Sequence, residues 1–417
     1  MLKRAAIIFA LMSGCATTVA AADSARTLQI IVSKDSQSLA VYDGGTVVAT
    51  SKVSTGKQGH DTPTGIFSVL EKRKYHESNI YSNAPMPWMQ RLTWSGIALH
   101  ESNSVPNYPA SHGCVRLPAA FAKSLYQMTA RGVHVIISDE TVSPQQIAHA
   151  ALFAPPAERP AGNVLSDASL RPSSADHAVR QVEVAMNMPT SPLPLPLPQA
   201  ETSAAEEPAP LRILITRRSD RETVADVQAM LTELGFDAGT ADGIIGSNTR
   251  SAIDAYKRWK GFATKGPALT SEMLTALYAS SGRAEPPTGQ LMIRQGFQEV
   301  LSEPISLAEP GTALGTHFLT VTAVNRDKGT ADWQGLSLDN HLTEATRKRL
   351  GIKTDAVTGP MALTAVLDRI HVPDELRQRI NAMISTGSSL TISDSGVGPE
   401  TTKGTDFITV THRPPRG

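Results

Sequence analysis

Apolar and polar residues alternate along residues 28–53 in three short runs that turn-forming residues separate. The runs are Leu28–Val32, Leu39–Tyr42 and Thr46–Ala49, with Asp43-Gly44-Gly45 between the last two. Two-residue alternation interrupted by Asp-Gly and Gly-Gly turns is typical of antiparallel strands. The pattern therefore predicts that this part of the chain forms an antiparallel sheet.

Further short elements follow up to about residue 140. They are a strand at 62–70 entered through Thr62-Pro-Thr-Gly65, a strand at 96–100, a helix at 118–126 and a β-branched strand at 133–137. β-Branched side chains favour strands because they pack well on a pleated surface. We therefore expect residues 26–140 to form one mainly β domain.

The periodicity weakens over residues 141–212, where small and polar residues dominate. Residues 187–198 are rich in proline and favour extended polyproline II, and an acidic, alanine-rich stretch follows at 201–210. Residues 141–212 are therefore predicted to be a semi-stiff linker.

A helical period begins at residue 221 and continues to residue 281. The first predicted helix carries Val224, Val227, Leu231 and Leu234 on one face and ends at Gly235; the second starts at Asn248 or Thr249 and carries Ile253, Tyr256 and Trp259. A third helix, Leu269–Leu277, has a start that resembles a capping box. Three amphipathic helices joined by short turns predict a compact bundle.

Residues 288–412 return to strand-like patterns around a helical interval. Residues 131–144 resemble residues 386–399, and residues 63–70 resemble residues 314–321 with Phe67 matched to Phe318. Two interpretations stay open: a diverged copy of the first domain, or an unrelated accessory domain of α+β or β-rich class. A copy would contain no cysteine and so could not repeat any thiol chemistry.

The first 22 residues have the pattern of an export signal. Lys3 and Arg4 precede an apolar run, Ala5–Met12, which is too short to anchor a chain across a bilayer. Ala20-Ala21-Ala22 suits ordinary signal peptidase, whereas Met12-Ser-Gly-Cys15 resembles a lipoprotein box with Cys15 as the lipidated residue. We therefore expect a periplasmic or cell-envelope protein, soluble or lipid-anchored at Cys15.

Composition narrows the class of protein. The 417 residues are 41% hydrophobic and 19% charged, with a formal net charge of zero, which describes a globular chain of two to four domains. A nucleic-acid partner is not expected, because such proteins usually carry a clustered basic excess.

One thiol stands out from this background. Cys114 is the only cysteine outside the leader, and it lies in Ser111-His112-Gly113-Cys114. A solitary cysteine is a liability in an oxidising compartment unless it has a role. A thiol beside an imidazole is the arrangement that a cysteine nucleophile needs, because the thiolate is the reactive form.

The order His100, Ser111-His112-Gly113-Cys114-x-Arg116, preceded by Thr62-Pro-Thr-Gly65, resembles the catalytic domain of L,D-transpeptidases (YkuD type) over residues 26–140. The resemblance implies a β-sandwich-like fold. It also implies an enzyme that cleaves a peptidoglycan tetrapeptide stem after its L-centre. The stem would be held as an acyl-thioester, and an amine of a neighbouring stem or of an envelope protein would then resolve it.

The resemblance also implies roles for individual residues. Cys114 matches the nucleophile, His100 the base and His112 a histidine that shapes the site. Gly113 and Ser111 belong to the loop whose N–H groups would stabilise an oxyanion, and Arg116 and Trp88 would bind substrate. Activity would then need a thiolate at Cys114 paired with an imidazolium at His100.

Less specific interpretations remain for several of these residues. His100 would also fit a buried structural histidine, Arg116 a surface ion pair and Trp88 ordinary core packing. No set of ligands at zinc-like spacing accompanies His112 and Cys114, and no phosphate loop or dinucleotide fingerprint is present, so no metal or cofactor is expected.

Residues 224–278 resemble the type 1 peptidoglycan-binding repeat, through Val227-Gln-x-x-Leu231 and Asp242-Gly243-x-x-Gly246-x-x-Thr249. This resemblance implies glycan or stem-peptide binding by the bundle.

The loop from Glu101 to Ala110 is shorter than is usual in the transpeptidase family, and this leaves the identity of the acceptor open. A carboxypeptidase or amide hydrolase using the same thioester, and a silent wall-binding scaffold, are therefore alternatives to a transpeptidase.

Overall fold

The computed structural model describes residues 27–78, 83–157 and 208–412. The predicted signal segment 1–22, with Cys15, and the proline-rich part of the predicted linker lie outside these residues. Among the described residues, no helix has the length and apolar character needed to cross a membrane.

Six strands form the first sheet, in the order β18-β4-β9-β1-β2-β3. They are β1 (Leu28–Ser33), β2 (Ser38–Asp43), β3 (Thr46–Lys52), β4 (Thr64–Ser68), β9 (His134–Ser138) and β18 (Thr409–His412). β1 pairs antiparallel with β2 and parallel with β9. The predicted hairpins of residues 28–52 are present, and β1, β4 and β9 are buried on both faces because each face is covered by other elements.

A small sheet and one helix cover one face of the first sheet. The small sheet has the order β5-β6-β7-β8, made of β5 (Glu71–Arg73), β6 (Met89–Arg91), β7 (Ala98–Glu101) and β8 (Val115–Leu117). Helix α1 (Ala119–Met128) follows directly after Pro118, whose fixed φ suits a helix start. Their apolar side chains share a core with the inner face of the first sheet, including Ile30, Phe67 and Leu125.

The second sheet has eight strands, in the order β10-β15-β14-β17-β11-β12-β13-β16. They are β10 (Gln145–Ile147), β11 (Arg212–Arg217), β12 (Gly289–Gln295), β13 (Gln298–Leu307), β14 (Thr316–Asn325), β15 (Thr330–Leu338), β16 (Ile370–His371) and β17 (Ser389–Ser393). Helices α5 (Glu344–Arg349), α6 (Ala362–Leu367) and α7 (Asp374–Met383) accompany it. β11 pairs antiparallel with β12 and parallel with β17, which is the pairing that β1 makes with β2 and β9.

The two sheets pack against each other through apolar side chains. Ile31, Ile66 and Ile136 of the first sheet meet Phe318, Leu336 and Leu338 of the second. His134 lies at this interface, with its Nε2 3.0 Å from the hydroxyl of Ser389 and its ring edge-on to Phe318. The second half of the chain therefore covers β1, β4 and β9 of the first sheet, while the edge strand β3 stays largely exposed.

The three-helix bundle lies in sequence between β11 and β12 of the second sheet. Its helices are α2 (Asp220–Glu233), α3 (Ser247–Lys260) and α4 (Ser271–Ser280). Ser219 and Glu222 form a capping box at the start of α2. Helix α3 starts after Gly246 rather than at Asn248 or Thr249, because Thr249 is buried and its hydroxyl donates to the carbonyl of Ala238 at 2.9 Å.

The prediction that residues 141–212 form a linker is wrong for its first part, because residues 145–153 belong to the second sheet and its core. Strand β10 pairs with β15, and Leu152 and Phe153 belong to the core of the second sheet. The carbonyl of Phe153 accepts a hydrogen bond from the indole of Trp333 at 2.9 Å. The apolar residues of this stretch, mostly alanines near Leu152 and Phe153, do not alternate with polar ones, so their pattern gave no strand signal.

The C-terminal strand β18 belongs to the first sheet, although the sequence assigns it to the domain 288–412. It pairs antiparallel with β4, with Thr409 opposite Ile66. Ile408, just before the strand, is 1% exposed and lies in the core of the first sheet. The end of the described chain therefore completes the domain that carries Cys114.

Candidate active site

Cys114 stands directly before strand β8, which runs parallel to β7. In this pair Leu99 lies opposite Val115, and His100 lies opposite Arg116. Because alternate residues of a strand point to the same face, His100 and Arg116 share one face with Ala98. Cys114 packs against Ala98. The predicted nucleophile and base therefore lie on neighbouring strands of one small sheet.

The thiol of Cys114 is partly exposed and held by a backbone group. Its Sγ donates to the carbonyl oxygen of Gly96 at 3.4 Å, and Met86, Met89 and Ala98 surround it. This apolar burial raises the pKa of Cys114, while a backbone hydrogen bond at Ala98 and the cations Arg91 and Arg116 lower it less strongly. The resting cysteine is therefore a neutral thiol.

His100 is 9% exposed, and its orientation is fixed by one hydrogen bond. Its Nδ1 lies 2.7 Å from the carbonyl oxygen of Glu101. A carbonyl only accepts, so Nδ1 carries the hydrogen and Nε2 is the basic nitrogen. The pKa of His100 is lowered to about 4, chiefly by burial; the hydrogen bond to Glu101 opposes this shift, and the charge of Arg116 adds to it.

Burial disfavours the charged form of both groups, so a neutral thiol and a neutral imidazole are expected at rest at pH 7. The thiolate–imidazolium pair that activity would need stays a prediction. A neutral imidazole is a competent proton acceptor, and charge develops only when the thiol reacts. The arrangement suits general-base activation of the nucleophile.

The loop before Cys114 is held by its own side chains. The hydroxyl of Ser111 donates to the carbonyl of Cys114 at 2.5 Å and accepts from the N–H of Gly113 at 3.1 Å. Gly113 has a φ of 108°, and a Cβ there would lie 2.9 Å from Ile97 Cδ1. The N–H of Gly113 is therefore occupied within the loop, and the oxyanion role of the N–H groups of this loop stays a prediction.

Residues outside the motif hold this loop from the other side. The hydroxyl of Thr62 accepts from the N–H of Gly56 and donates to the carbonyl of Gly113, both at 2.8 Å. The backbone groups of Ser54 and Arg116 exchange two hydrogen bonds at 3.1 and 3.0 Å. Sequence reasoning missed Ser54 and Gly56, although the turn at Thr62 gave a signal for this region.

His112 lies on the surface beside other basic side chains. Its ring centroid is 4.7 Å from that of His60, with the rings edge to face. The pKa of His112 is lowered mainly by desolvation, and charge repulsion from Lys57, His60 and Arg116 adds to this shift. Lys57 and His60 were not predicted as site residues, because nothing in their local sequence marks them.

The side chain of Trp88 is partly buried. Its ring lies 5.4 Å from that of Tyr126 on α1, edge to face, and it contacts the core of the first sheet. The backbone of Trp88 has a φ of 55°, which turns the chain just before β6. These contacts are consistent with the core-packing interpretation, and the substrate-binding role of Trp88 stays a prediction.

Within residues 27–78, 83–157 and 208–412, no three histidine, cysteine or acidic residues come together as a metal site would need. His100 and Cys114 are instead engaged with backbone carbonyls.

Comparison with known proteins identifies two regions. A family model described as the L,D-transpeptidase catalytic domain matches residues 28–137, and one described as "Putative peptidoglycan binding domain" matches residues 220–267. A curated Bacillus subtilis (strain 168) protein, "Putative L,D-transpeptidase YqjB", is 32% identical over 143 residues, which are 30% of this chain and 80% of that protein.

Solved structures give partial matches of the same kind. An L,D-transpeptidase from Mycobacterium smegmatis is 23% identical, with a TM-score of 0.26, over 27% of this chain and 59% of that one. An L,D-transpeptidase (Yku) from Stackebrandtia nassauensis is 28% identical, with a TM-score of 0.26, over 27% of this chain and 56% of that one. The chain thus covers less than two thirds of either solved chain.

Proposed function

Because the chain belongs to the L,D-transpeptidase family, we propose that it is an exported enzyme that transfers peptidoglycan tetrapeptide stems through a thioester on Cys114. The products are crosslinks between stems or proteins attached to the wall. The observation that carries this proposal is the register of β7 and β8, which brings the His100 imidazole to the same small sheet as the Cys114 thiol.

In the proposed reaction, the thiol proton of Cys114 passes to Nε2 of His100 as Sγ attacks the stem carbonyl that follows the L-centre. The proton then leaves with the amine of the terminal D-residue, and the acyl group stays on sulfur. An acceptor amine attacks the thioester and gives its proton to His100, which passes it to the departing sulfur and so restores the thiol. Nδ1 stays bonded to the Glu101 carbonyl throughout, which keeps Nε2 directed at the reaction.

Arg116 and His112 are proposed to stand on the substrate side of this site. Arg116 lies opposite His100 in the strand register, and His112 has Lys57 and His60 beside it. A basic rim suits the free carboxylates of a peptidoglycan stem, because guanidinium and ammonium groups pair with carboxylates. The helical bundle would hold the enzyme on the same polymer, which agrees with a cell-envelope location.

The second sheet is proposed to be a diverged copy of the catalytic domain, with the bundle inserted after its first strand. Support comes from equivalent registers: His134 lies opposite Gln29, and Ser389 lies opposite Arg212. Ion pairs stand at matching places, Lys34–Asp139 at 2.8 Å and Arg217–Asp394 at 2.6 Å. Ile66 pairs with Ile136 on β9, and Phe318 pairs with Thr391 on β17. Because Ile136 and Thr391 occupy equivalent positions, Phe318 is equivalent to Ile66 and not to Phe67.

At the position of the nucleophile, this proposed copy has an arginine. Cys114 precedes β8, Pro118 and α1, and Arg369 precedes β16, Pro373 and α7 in the same way. The guanidinium of Arg369 donates to the carbonyls of Ala308, Glu309, Thr312 and Ala313 at 2.7 to 3.2 Å. The proposed copy is therefore a structural partner and not a second catalytic centre.

Product analysis tests the proposed activity. Purified enzyme would be incubated with tetrapeptide muropeptides, and the products separated by mass. Crosslinked dimers with release of the terminal D-amino acid are expected. Trimmed monomers alone would show that the enzyme is a hydrolase and not a transferase. Unchanged muropeptides together with binding to sacculi would show that the protein is a scaffold.

A further inference from the structure

The turn that holds the Cys114 thiol is itself held from outside by the C-terminal segment. The turn consists of Thr93–Ile97: the N–H of Gly96 donates to the carbonyl of Thr93 at 3.3 Å, and the N–H of Ile97 donates to the Thr93 hydroxyl at 3.0 Å. Gly96 has a φ of 112°, and its carbonyl accepts the Cys114 thiol. The position of this turn therefore sets where the sulfur lies.

Glu400 contacts the opposite side of the same turn. One of its carboxylate oxygens accepts the N–H groups of Trp94 at 3.0 Å and Ser95 at 3.4 Å. Glu400 and these residues are about three hundred positions apart in the sequence, so only the folded chain brings them together. Hydrogen bonds from backbone N–H groups to a charged carboxylate are stronger than neutral ones.

The segment that carries Glu400 is held by several contacts on its C-terminal side. The hydroxyl of Thr401 accepts from the N–H of Ile408 at 2.9 Å, and Ile408 is buried in the core of the first sheet. From the second half of the molecule, Arg294 donates to the carbonyls of Thr402 and Thr405 at 2.8 and 2.6 Å. Glu400 is thus presented to the turn by a rigid support and not by a free tail.

The same turn also orients a cation near the nucleophile. The guanidinium of Arg91 lies 5.8 Å from the centre of the Trp94 ring. The charge of Arg91 lowers the pKa of Cys114 against the larger effect of burial. A displaced turn would therefore move both the carbonyl that holds the thiol and the aromatic ring beside this cation.

We propose that Glu400 is a positioning residue for Cys114, through which the C-terminal segment aligns the nucleophile by fixing the Trp94–Gly96 turn. This inference rests on the proposed function, because it assigns a role in the same thiol reaction. The second half of the chain then contributes to catalysis without touching the substrate. A displacement of a reacting group by about 1 Å can cost on the order of a hundredfold in rate.

The test compares Glu400→Ala, Glu400→Gln and the control Glu140→Ala in the full-length protein. Glu140 is an exposed acidic residue of the same domain. Two rates would be measured: alkylation of Cys114 by iodoacetamide across pH, and transfer of a tetrapeptide stem. Alkylation needs only the thiol, so it reports the effect of Glu400 even if the stem is not the substrate.

Glu400→Ala is expected to lower kcat about tenfold or more with KM nearly unchanged, and to shift the pH profile of alkylation. Glu400→Gln keeps an acceptor oxygen and should recover most of the rate, and Glu140→Ala should match the wild type. Thermal melts would be recorded for each variant. A lower Tm with an unchanged alkylation profile and unchanged kcat per folded enzyme would overturn the proposal and leave a structural role.

A double-mutant cycle tests whether Glu400 acts through the turn. Thr93→Val removes the hydroxyl that accepts from Ile97 and from Ser95. If both residues act on one turn, the loss in the double variant should be smaller than the product of the two single losses. Multiplicative losses would show that Glu400 does not act on Cys114 through this turn.

Discussion

Cys114 and Arg369 occupy matching positions in the two halves of the chain, each directly before a short strand that a proline and a ten-residue helix follow. The thiol of Cys114 is held by a single carbonyl, whereas the guanidinium of Arg369 binds four. The proposed nucleophile thus has one carbonyl partner, whereas the arginine is fully engaged in holding a loop.

Replacing Arg369 should therefore affect stability and not chemistry. Arg369→Ala removes a donor from four carbonyls, of which those of Glu309 and Thr312 keep a second one, and we expect a loss of about 2 kcal/mol in the free energy of unfolding. Urea titration measures this loss. Arg379→Ala, which removes an exposed contact to Glu303 at 3.4 Å, should change little. A large fall in kcat per folded Arg369→Ala enzyme would contradict the structural role.

Thr62 offers a test of the frame around the nucleophile. Thr62→Val leaves the N–H of Gly56 and the carbonyl of Gly113 unpaired in a buried site, which should cost about 2 kcal/mol and slow acylation. Thr62→Ser keeps the hydroxyl and is the matched control. Acylation rates and urea midpoints would be compared, and equal values for Val and Ser would show that this hydroxyl does not hold the loop.

The pH dependence of kcat/KM follows from the buried imidazole. Because the pKa of His100 is lowered to about 4, its Nε2 is free to accept a proton throughout the range from pH 5 to 7. The acid limb of the profile should therefore lie near pH 4 rather than near 6.5, and the rate should rise on the alkaline side as the thiol ionises. An acid limb with its midpoint near pH 6.5 that is absent from His100→Gln would contradict a neutral His100 imidazole beside a neutral Cys114 thiol at pH 7.

Acid should also loosen the contact between the two sheets. Complete burial lowers the pKa of His134 well below 6.5, with Arg212 adding to the shift. Below about pH 6.5 the unfolded chain binds a proton at His134 that the folded chain does not bind. The contribution of His134 to stability is therefore present above about pH 6.5 and is lost as the pH falls below it. We expect His134 to contribute a loss of about 1 kcal/mol per pH unit.

Urea unfolding of the wild type at pH 7.5, 6.5 and 5.5 measures this effect. His100 and His317, whose pKa values are each lowered to about 4 by burial, contribute in the same direction. His134→Gln removes one of these titrating groups and should reduce the slope. An unchanged slope in this variant would mean that His134 does not titrate at the interface.

The part of the site that could be predicted from sequence is the part that is local. Ser111, His112, Gly113 and Cys114 are consecutive, and His100 is on the strand next to theirs, so motif and spacing identified them. The two hairpins of the first sheet were predicted for the same reason, because alternation and turn residues act over a few positions.

Contacts between distant segments could not be predicted in this way. Glu400 reaches the turn at Trp94 only because Ile408 is buried in the first sheet. The N–H of Gly113 is taken by a side chain two residues away, a detail of loop conformation that residue type does not encode. Phe153 similarly gains its place from Trp333, far along the chain.

Intact-protein mass spectrometry tests the central claim most directly. Wild-type enzyme and Cys114→Ser would be incubated with a tetrapeptide stem lacking an acceptor amine, quenched in acid and digested to locate any adduct. The wild type should gain the mass of the stem less its terminal D-residue, on the peptide that contains Cys114, and Cys114→Ser should gain no thioester mass. An adduct of the same mass on another residue, or turnover by Cys114→Ser at the wild-type rate, would contradict the assignment of Cys114 as the nucleophile.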